Sequence, residues 1–343
     1  MSCVIFKLKD NDMSNASPLP SYAGLQSFMR APSTALDDLD ANAIAVYGAP
    51  FEVSTRYGAR LGPRAIREQS THFQYYLESD PAAALVDVDT NKILRRSPKT
   101  RVFDLGDVNV YPLDPEKSVG SISRMSDAIV SVGAFPVMLG GDHMVTWPAY
   151  LGFHNAVRRM TPGAKVGYIH LDAHFDMGDD NPIYGKINNA TLVRRIMELE
   201  GVDPKNISMI GLRGLARESQ LKLTLESGIN YYPMPVIHQR GLEAVIREAA
   251  ERASDGVEAV YCTYDIDVID VIHAPGNGGI AFGGLTNMQG LQLAEILGQY
   301  PKIKAFDVVE VNPHYDVSDI TAKFAATAIL KFLAPRLFDI SEA

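Results

Sequence analysis

Two short strings have the residue types and the spacing of a hydrolytic two-metal centre. DAHFD at 172–176 places Asp172, His174 and Asp176 at alternate positions, and DID at 265–267 does the same with Asp265 and Asp267. In an extended strand the side chains at i, i+2 and i+4 share one face, so each string can aim its polar groups at one point. Both follow apolar, β-branched runs at 165–171 and 257–264, and the polar groups therefore emerge where a buried strand stops. A third string, GGDHM at 140–144, follows the apolar run at 134–139 and adds His143. Isolated residues of these types ordinarily cap helices or face water; three such strings in one chain point instead to a shared site. Two imidazoles and four carboxylates without a thiolate suit divalent Mn, Ni, Co or Fe better than a cysteine-based structural zinc. Four carboxylates also offset the charge of two divalent ions, and paired ions acidify water enough to make a nucleophile near neutral pH.

The elements that must hold these strings alternate along the chain. Helical patterns at 120–132, 190–200, 241–253 and 288–299 are interleaved with the strand-like runs. Alternation of this kind predicts an α/β fold of βαβ crossovers, with a central parallel sheet covered on both faces. Ligands of such sheets bind beyond the carboxyl ends of the strands, where all three strings fall. The alternation runs through residues 41–343 and predicts one catalytic domain there. Residues 1–40 read as an N-terminal tail or a subunit-contact extension, because 9–22 (KDNDMSNASPLPSY) is polar and turn-rich with no apolar stripe.

Composition narrows the setting. The chain has 343 residues and a formal net charge of −9, with an isoelectric point near 5.4. No basic stripe is available to neutralise phosphates, which argues against nucleic acid, and an acidic surface mildly favours cationic substrates. Two cysteines, Cys3 and Cys262, make no disulfide framework and suit a reducing compartment. No apolar run is long enough to span a bilayer, so a cytoplasmic location is expected.

Four strings stand in a fixed order: GGDHM at 140–144, DAHFD at 172–176, DIDVID at 265–270 and VVEVNP at 308–313. Weaker ones accompany them, among them YGAPFE at 47–52, YGARLGPRAIRE at 57–68, DLGDV at 104–108, IGLRG at 210–214, GGLT at 283–286 and YDVSDITA at 315–322. In these strings the chain resembles the ureohydrolase superfamily, the arginase and agmatinase group. The resemblance implies a three-layer α/β/α fold and two divalent ions, Mn²⁺ or Ni²⁺. One ion would be held by His143, Asp172, Asp176 and Asp265. The other would be held by His174, Asp172, Asp265 and Asp267, so that Asp172 and Asp265 bridge. It implies hydrolysis of a small guanidino compound to urea or a substituted urea plus an amine or ammonia, by a trimer or hexamer. Glu310 matches the acidic residue that contacts the guanidinium. Asp270 and Asp142 read as residues that orient loops, Gly140 and Gly141 as a tight turn before His143, Trp147 and Tyr150 as packing. Arg56, Arg60 and Arg64 fall in the substrate-entrance and subunit-contact region, where a structural or solvated role is the expectation.

The chain also departs from that pattern. Where a Gly-x-x-His-Gly string is usual, it has YGKINNAT at 184–191, so Asn188 or Asn189 replaces an imidazole, and an amide is no general acid or base. His273, in the loop after Asp267 and Asp270, is the candidate replacement as proton carrier. Asp176 and Glu310 are the other candidate catalytic groups. Gln289 stands where arginase-like members place a Glu, which argues against arginase itself. These departures fit a less usual guanidino compound, namely free guanidine, guanidinobutyrate, a biguanide or guanylurea, while agmatine stays among the substrates the resemblance implies; Asn188, Asn189, Gln289 and Glu310 are the candidate substrate contacts. They equally motivate a second reading, a non-catalytic or regulatory subunit that assembles with an active paralogue.

Overall fold

The structure, a computed structural model, describes residues 23–53, 56–77, 84–180 and 182–342. The first strand, β1 (Ala43–Ala49), is buried at every position and leads through α1 (Gly62–Ser70) to the short β2 (Leu85–Asp87) and β3 (Lys92–Arg96). Next come β4 (Arg101–Asp107), α2 (Pro115–Ser131), β5 (Phe135–Gly140), α3 (Thr146–Met160) and β6 (Val166–Leu171). They are followed by α4 (Leu192–Met197), β7 (Ile207–Ile210), α5 (Glu218–Ser227), β8 (Asn230–Tyr232), α6 (Met234–Arg240) and α7 (Leu242–Ser254). The chain closes with β9 (Ala259–Asp265), α8 (Asn287–Gly298), β10 (Ile303–Val309), α9 (Ile320–Leu337) and β11 (Phe338–Glu342).

Eight strands form one parallel sheet in the order β4-β1-β5-β10-β9-β6-β7-β8. The period of two sorts each central strand onto two cores. Ile44 and Val46 of β1, Ile169 and Leu171 of β6, and Val260 and Cys262 of β9 join the core that includes Ile246, Leu293 and Ile329 of α7, α8 and α9. Their neighbours Ala45, Tyr47, Tyr168 and Tyr261 join the opposite core, with Ile122 of α2 and Phe153 of α3. Two cores on two faces make the three-layer α/β/α architecture expected of the alternating pattern. The helical patterns at 120–132, 190–200, 241–253 and 288–299 correspond to α2, α4, α7 and α8.

A second, antiparallel sheet, β11-β3-β2, was not expected from sequence. Of the N-terminal forty residues, 1–22 lie outside the described residues. Phe28, Met29 and Ala31 are buried. The Phe28 N–H donates to the Asp104 carboxylate at 2.6 Å and the Met29 N–H to Ser70 Oγ at 2.8 Å. This part of the extension is held on the chain's own β4 and α1. Arg67 of α1 secures the same place, with its Nε 2.8 Å from Asp104.

Four neighbouring strands in the middle of the sheet, β5, β10, β9 and β6, carry the site strings at their carboxyl ends. Their ends are level: Val308 pairs with Leu139, Val309 with Asp265 and Leu171 with Tyr264. His143, Glu310, Asp265 with Asp267, and the 172–176 string are therefore delivered to one edge of the sheet.

Candidate metal centre

His143 and the carboxylates meet at short range. His143 Nδ1 lies 2.9 Å from Asp172 Oδ2, 3.0 Å from Asp176 Oδ2 and 3.1 Å from Asp265 Oδ2. His174 Nδ1 lies 3.2 Å from Asp172 Oδ1 and 3.0 Å from Asp267 Oδ2. Asp172 thus offers one oxygen to each imidazole. The first group is buried, whereas the His174 side chain is 46% exposed and opens onto a cavity of about 470 Å³. That cavity is lined by Asp176, Asp265 and Asp267 together with Glu310, Asn189, Arg56 and Arg217.

The donor set fits divalent ions. His143 Nδ1 and Asp172 Oδ2 are buried and have no hydrogen-bond partner, although they face each other at 2.9 Å. An imidazole nitrogen and a carboxylate oxygen buried in that relation need a positive charge at the contact, a proton or a metal ion. Donors held at about 2.1 Å from one ion in octahedral geometry sit about 3 Å apart, the spacing found here. The electrostatics agree. Burial pushes the Asp265 carboxyl well above its ordinary range, and the charges of Asp267 and Asp172 push it further. Asp176 is raised by burial and then by Asp172. Burial also acts to raise Asp172, but His170, His143 and His174 outweigh it and hold that carboxyl well below the usual range. Burial disfavours the His143 cation, yet Asp172, Asp176 and Asp265 prevail and raise its pKa well above the ordinary value. The His174 imidazole is raised chiefly by Asp267. Crowded carboxylates with imidazoles aimed at them form a site that attracts positive charge.

The backbone is arranged around this site at a cost. Asp176 (φ 48°) and Glu310 (φ 63°) are left-handed, a conformation that costs a non-glycine residue about 1–3 kcal/mol and that clusters at functional sites. Glu310 Oε1 accepts from the His143 N–H at 2.8 Å. Burial raises the Glu310 carboxyl well above its ordinary range, and repulsion from Asp142 adds to the effect. Gly279 closes one wall, since a Cβ there would meet the Asp267 carboxylate and come within 2.8 Å of His174 Cε1. Gly140 and Gly141 do not need positive φ for a tight turn. Their reason is close approach: a Cβ on Gly141 would strike the Phe51 carbonyl, and one on Gly140 would strike Val309.

The remaining sequence-derived candidates divide. Asn189 lines the cavity, but Asn188 does not. The buried Asn188 side chain donates to the Gly185 carbonyl at 2.8 Å and accepts from the Ala190 N–H at 3.0 Å, so it shapes the loop. His273 is not among the residues lining the cavity; its N–H donates to the Asp270 carbonyl at 2.8 Å in a turn. Gln289 is not there either. Its Oε1 accepts from the Thr286 N–H at 2.9 Å while its own N–H donates to Thr286 Oγ1 at 3.2 Å, a reciprocal cap on α8. Arg56 reaches the cavity and donates to the Gly278 carbonyl at 2.9 Å. Asp270 accepts from the Gly283, Gly284 and Ile272 N–H groups, and Asp142 from the Val53 N–H, as loop-orienting carboxylates do.

Several residues had not been singled out. Arg213 of the IGLRG string staples the wall: its Nη2 donates to the carbonyls of Asp267 at 2.5 Å and Ala281 at 3.0 Å. His170 stacks on His143 with ring centroids 5.1 Å apart, and its Nε2 lies 3.2 Å from Asp172. It continues the alternate spacing of 172, 174 and 176 backwards by one step, a signal that was legible. Thr146, Thr263 and Asp307 form a polar group behind His143 that only the pairing of β9 with β10 brings together.

Residues 42–334 match the profile described as "Arginase family". A guanidinopropionase of Pseudomonas aeruginosa is 33% identical over 328 residues, covering 93% of this chain and 94% of that protein. An agmatinase of Bacillus subtilis is 34% identical over 301 residues, covering 86% and 91%. Among solved structures, the proclavaminate amidino hydrolase of Streptomyces clavuligerus superposes with a TM-score of 0.76 at 29% identity, covering 93% of this chain and 98% of that one.

Proposed function

Because the chain belongs to the arginase family and is an amidinohydrolase, we propose that it hydrolyses a small guanidino compound with two divalent ions, manganese or nickel. His143, Asp172, Asp176 and Asp265 would hold the deep ion; His174, Asp172, Asp265 and Asp267 would hold the one facing the cavity. The observation that carries this reading is the approach of three carboxylates to one orphaned imidazole nitrogen. Kinship with a guanidinopropionase and an agmatinase supports the guanidino class. A cytoplasmic trimer or hexamer belongs to the same proposal.

A guanidinium carbon is resonance-stabilised and a poor electrophile, so the site must orient it and manage protons. Bound divalent ions supply an acidified water and balance the buried carboxylates. Glu310, at the cavity wall beside His143, pairs with the cationic guanidinium, and the incoming charge favours the ionised carboxylate. Asp176 lines the cavity with its Oδ2 3.0 Å from His143 Nδ1 and would pass on the proton that the leaving amine needs as the C–N bond breaks. Asn189 offers hydrogen bonds without acid–base capacity. The wall carrying Arg56 and Arg217 receives the end of the substrate remote from the reacting carbon.

With Gln289 committed to a helix cap, its amide carries no argument about substrate. Agmatine, guanidino acids, free guanidine and biguanide-type compounds are therefore compared on equal terms. The test is urea, substituted-urea or ammonia release by the purified chain alone, reconstituted with Mn²⁺ or Ni²⁺, across such a panel. Turnover of one member supports the reading. A fully metal-loaded chain inert on all of them, and active only beside a paralogue, would favour the non-catalytic subunit.

A further inference from the structure

Asp307 of β10 is fully buried, and its polar contacts are hydroxyl groups. Its Oδ2 accepts from Tyr261 OH at 2.7 Å and Thr146 Oγ1 at 2.9 Å, and its Oδ1 accepts from Thr263 Oγ1 at 2.5 Å. Burial raises the Asp307 carboxyl above its ordinary range although the Thr263, Tyr261 and Thr146 hydroxyls act to lower it; with all three hydroxyls placed to donate, the carboxyl accepts at both oxygens. The Thr263 hydroxyl has one proton, which it gives to Asp307. Its other neighbours are Thr146 Oγ1 at 3.3 Å, whose own proton goes to Asp307 Oδ2, and His143 Nε2 at 3.1 Å, toward which the Thr263 oxygen then acts only as an acceptor. The proton between them must therefore sit on Nε2. That leaves Nδ1 as the nitrogen with the available lone pair, and Nδ1 is the atom facing Asp172, Asp176 and Asp265.

We infer that Asp307, acting through Thr263, fixes His143 in the Nε2–H tautomer and so prepares the deep ion position while leaving the His174 position alone. Asp307 and Thr263 are positioning residues, since neither touches the ion or the substrate. The inference rests on His143 being a metal ligand. Partners that orient a ligating imidazole commonly govern metal affinity by about 10–100-fold.

The relay is tested by metal content, not by turnover. Thr263→Val keeps the shape and removes the hydroxyl; Thr263→Ser keeps the hydroxyl. Asp307→Asn goes further, because its amide can donate to Thr263 Oγ1, turn that hydroxyl toward Nε2 and favour the Nδ1–H tautomer. Full-length proteins are loaded with Mn²⁺, equilibrated against graded chelator and analysed for bound metal, with far-UV circular dichroism to confirm folding. The parent and Thr263→Ser are expected to hold two ions. Thr263→Val and Asp307→Asn are expected to lose one ion at roughly 10–100-fold lower chelator strength while the other persists. Retention of both ions at parental affinity, or loss of both together in folded protein, would overturn the relay. A parent that binds no divalent ion would instead overturn the reading of the centre itself.

Discussion

At the scale of single residues, each candidate ligand has its own expected signature. Asp172 stands between the two imidazoles and Asp265 is proposed to bridge with it, so Asp172→Ala or Asp265→Ala should cost both ions, whereas His174→Ala should cost mainly the exposed one. Elemental analysis distinguishes these outcomes, and near-normal metal in the Asp265→Ala protein would remove the bridging assignment. Proton competition gives the pH dependence. Without metal, the neighbouring carboxylates keep His143 protonated to higher pH than an ordinary imidazole. Metal binding must displace that proton, so affinity should rise with pH and protons should be released on loading. Titration in weakly buffered solution measures that release; affinity independent of pH would contradict it. Glu310→Gln should lower kcat/KM by roughly 10–100-fold, the loss of a charge-assisted hydrogen bond, with both ions retained. Alternate spacing made Asp172, His174, Asp176, Asp265 and Asp267 legible as candidates in sequence, and the GGDHM string added His143. Thr263 and Asp307 were not legible, because their relation to His143 exists only across paired strands.

At the scale of elements, α8 shows what Gln289 does in this fold: it caps the helix and is not among the residues lining the cavity. Thr286 and Gln289 have the spacing of a capping box, Ser or Thr followed three residues later by Glu or Gln. That local signature explains Gln289 without any substrate. Gln289→Glu should therefore leave the ranking of guanidino substrates unchanged and preserve or slightly raise thermal stability, since a carboxylate near a helix N-terminus is favoured. Thr286→Ala should cost about 1 kcal/mol. A changed substrate ranking in Gln289→Glu would return this residue to the pocket. The turn from Asp270 to Ala274 is closed by the His273 and Ala274 N–H groups, which both donate to the Asp270 carbonyl, and His273 is not among the residues lining the cavity. Loop direction of that kind is set by backbone hydrogen bonds that composition does not reveal.

At the scale of the whole molecule, the parallel sheet was legible because fully buried strands and amphipathic helices alternate. The antiparallel β11-β3-β2 sheet was not, since its short, charged strands pair across most of the chain, with Phe338 opposite Arg96. Lys331 of α9 ties this sheet to the body through Asp87 at 2.8 Å. Burial acts to raise the Asp87 carboxyl, but Lys331 outweighs it and lowers the pKa. A lowered carboxyl contributes stability above its unfolded pKa and loses it as pH falls through the folded one. The stability gap between the parent and Lys331→Met should accordingly shrink below about pH 4, which thermal melts across that range would show. The claim that this chain is a two-ion guanidino hydrolase is tested most directly by titrating metal-free protein with Mn²⁺ or Ni²⁺ while measuring bound metal and urea or ammonia release in one preparation. Activity on a guanidino compound that appears as two equivalents bind to each chain is the expected result. Undiminished activity in the metal-free chain, or saturation at a single bound ion, would contradict it.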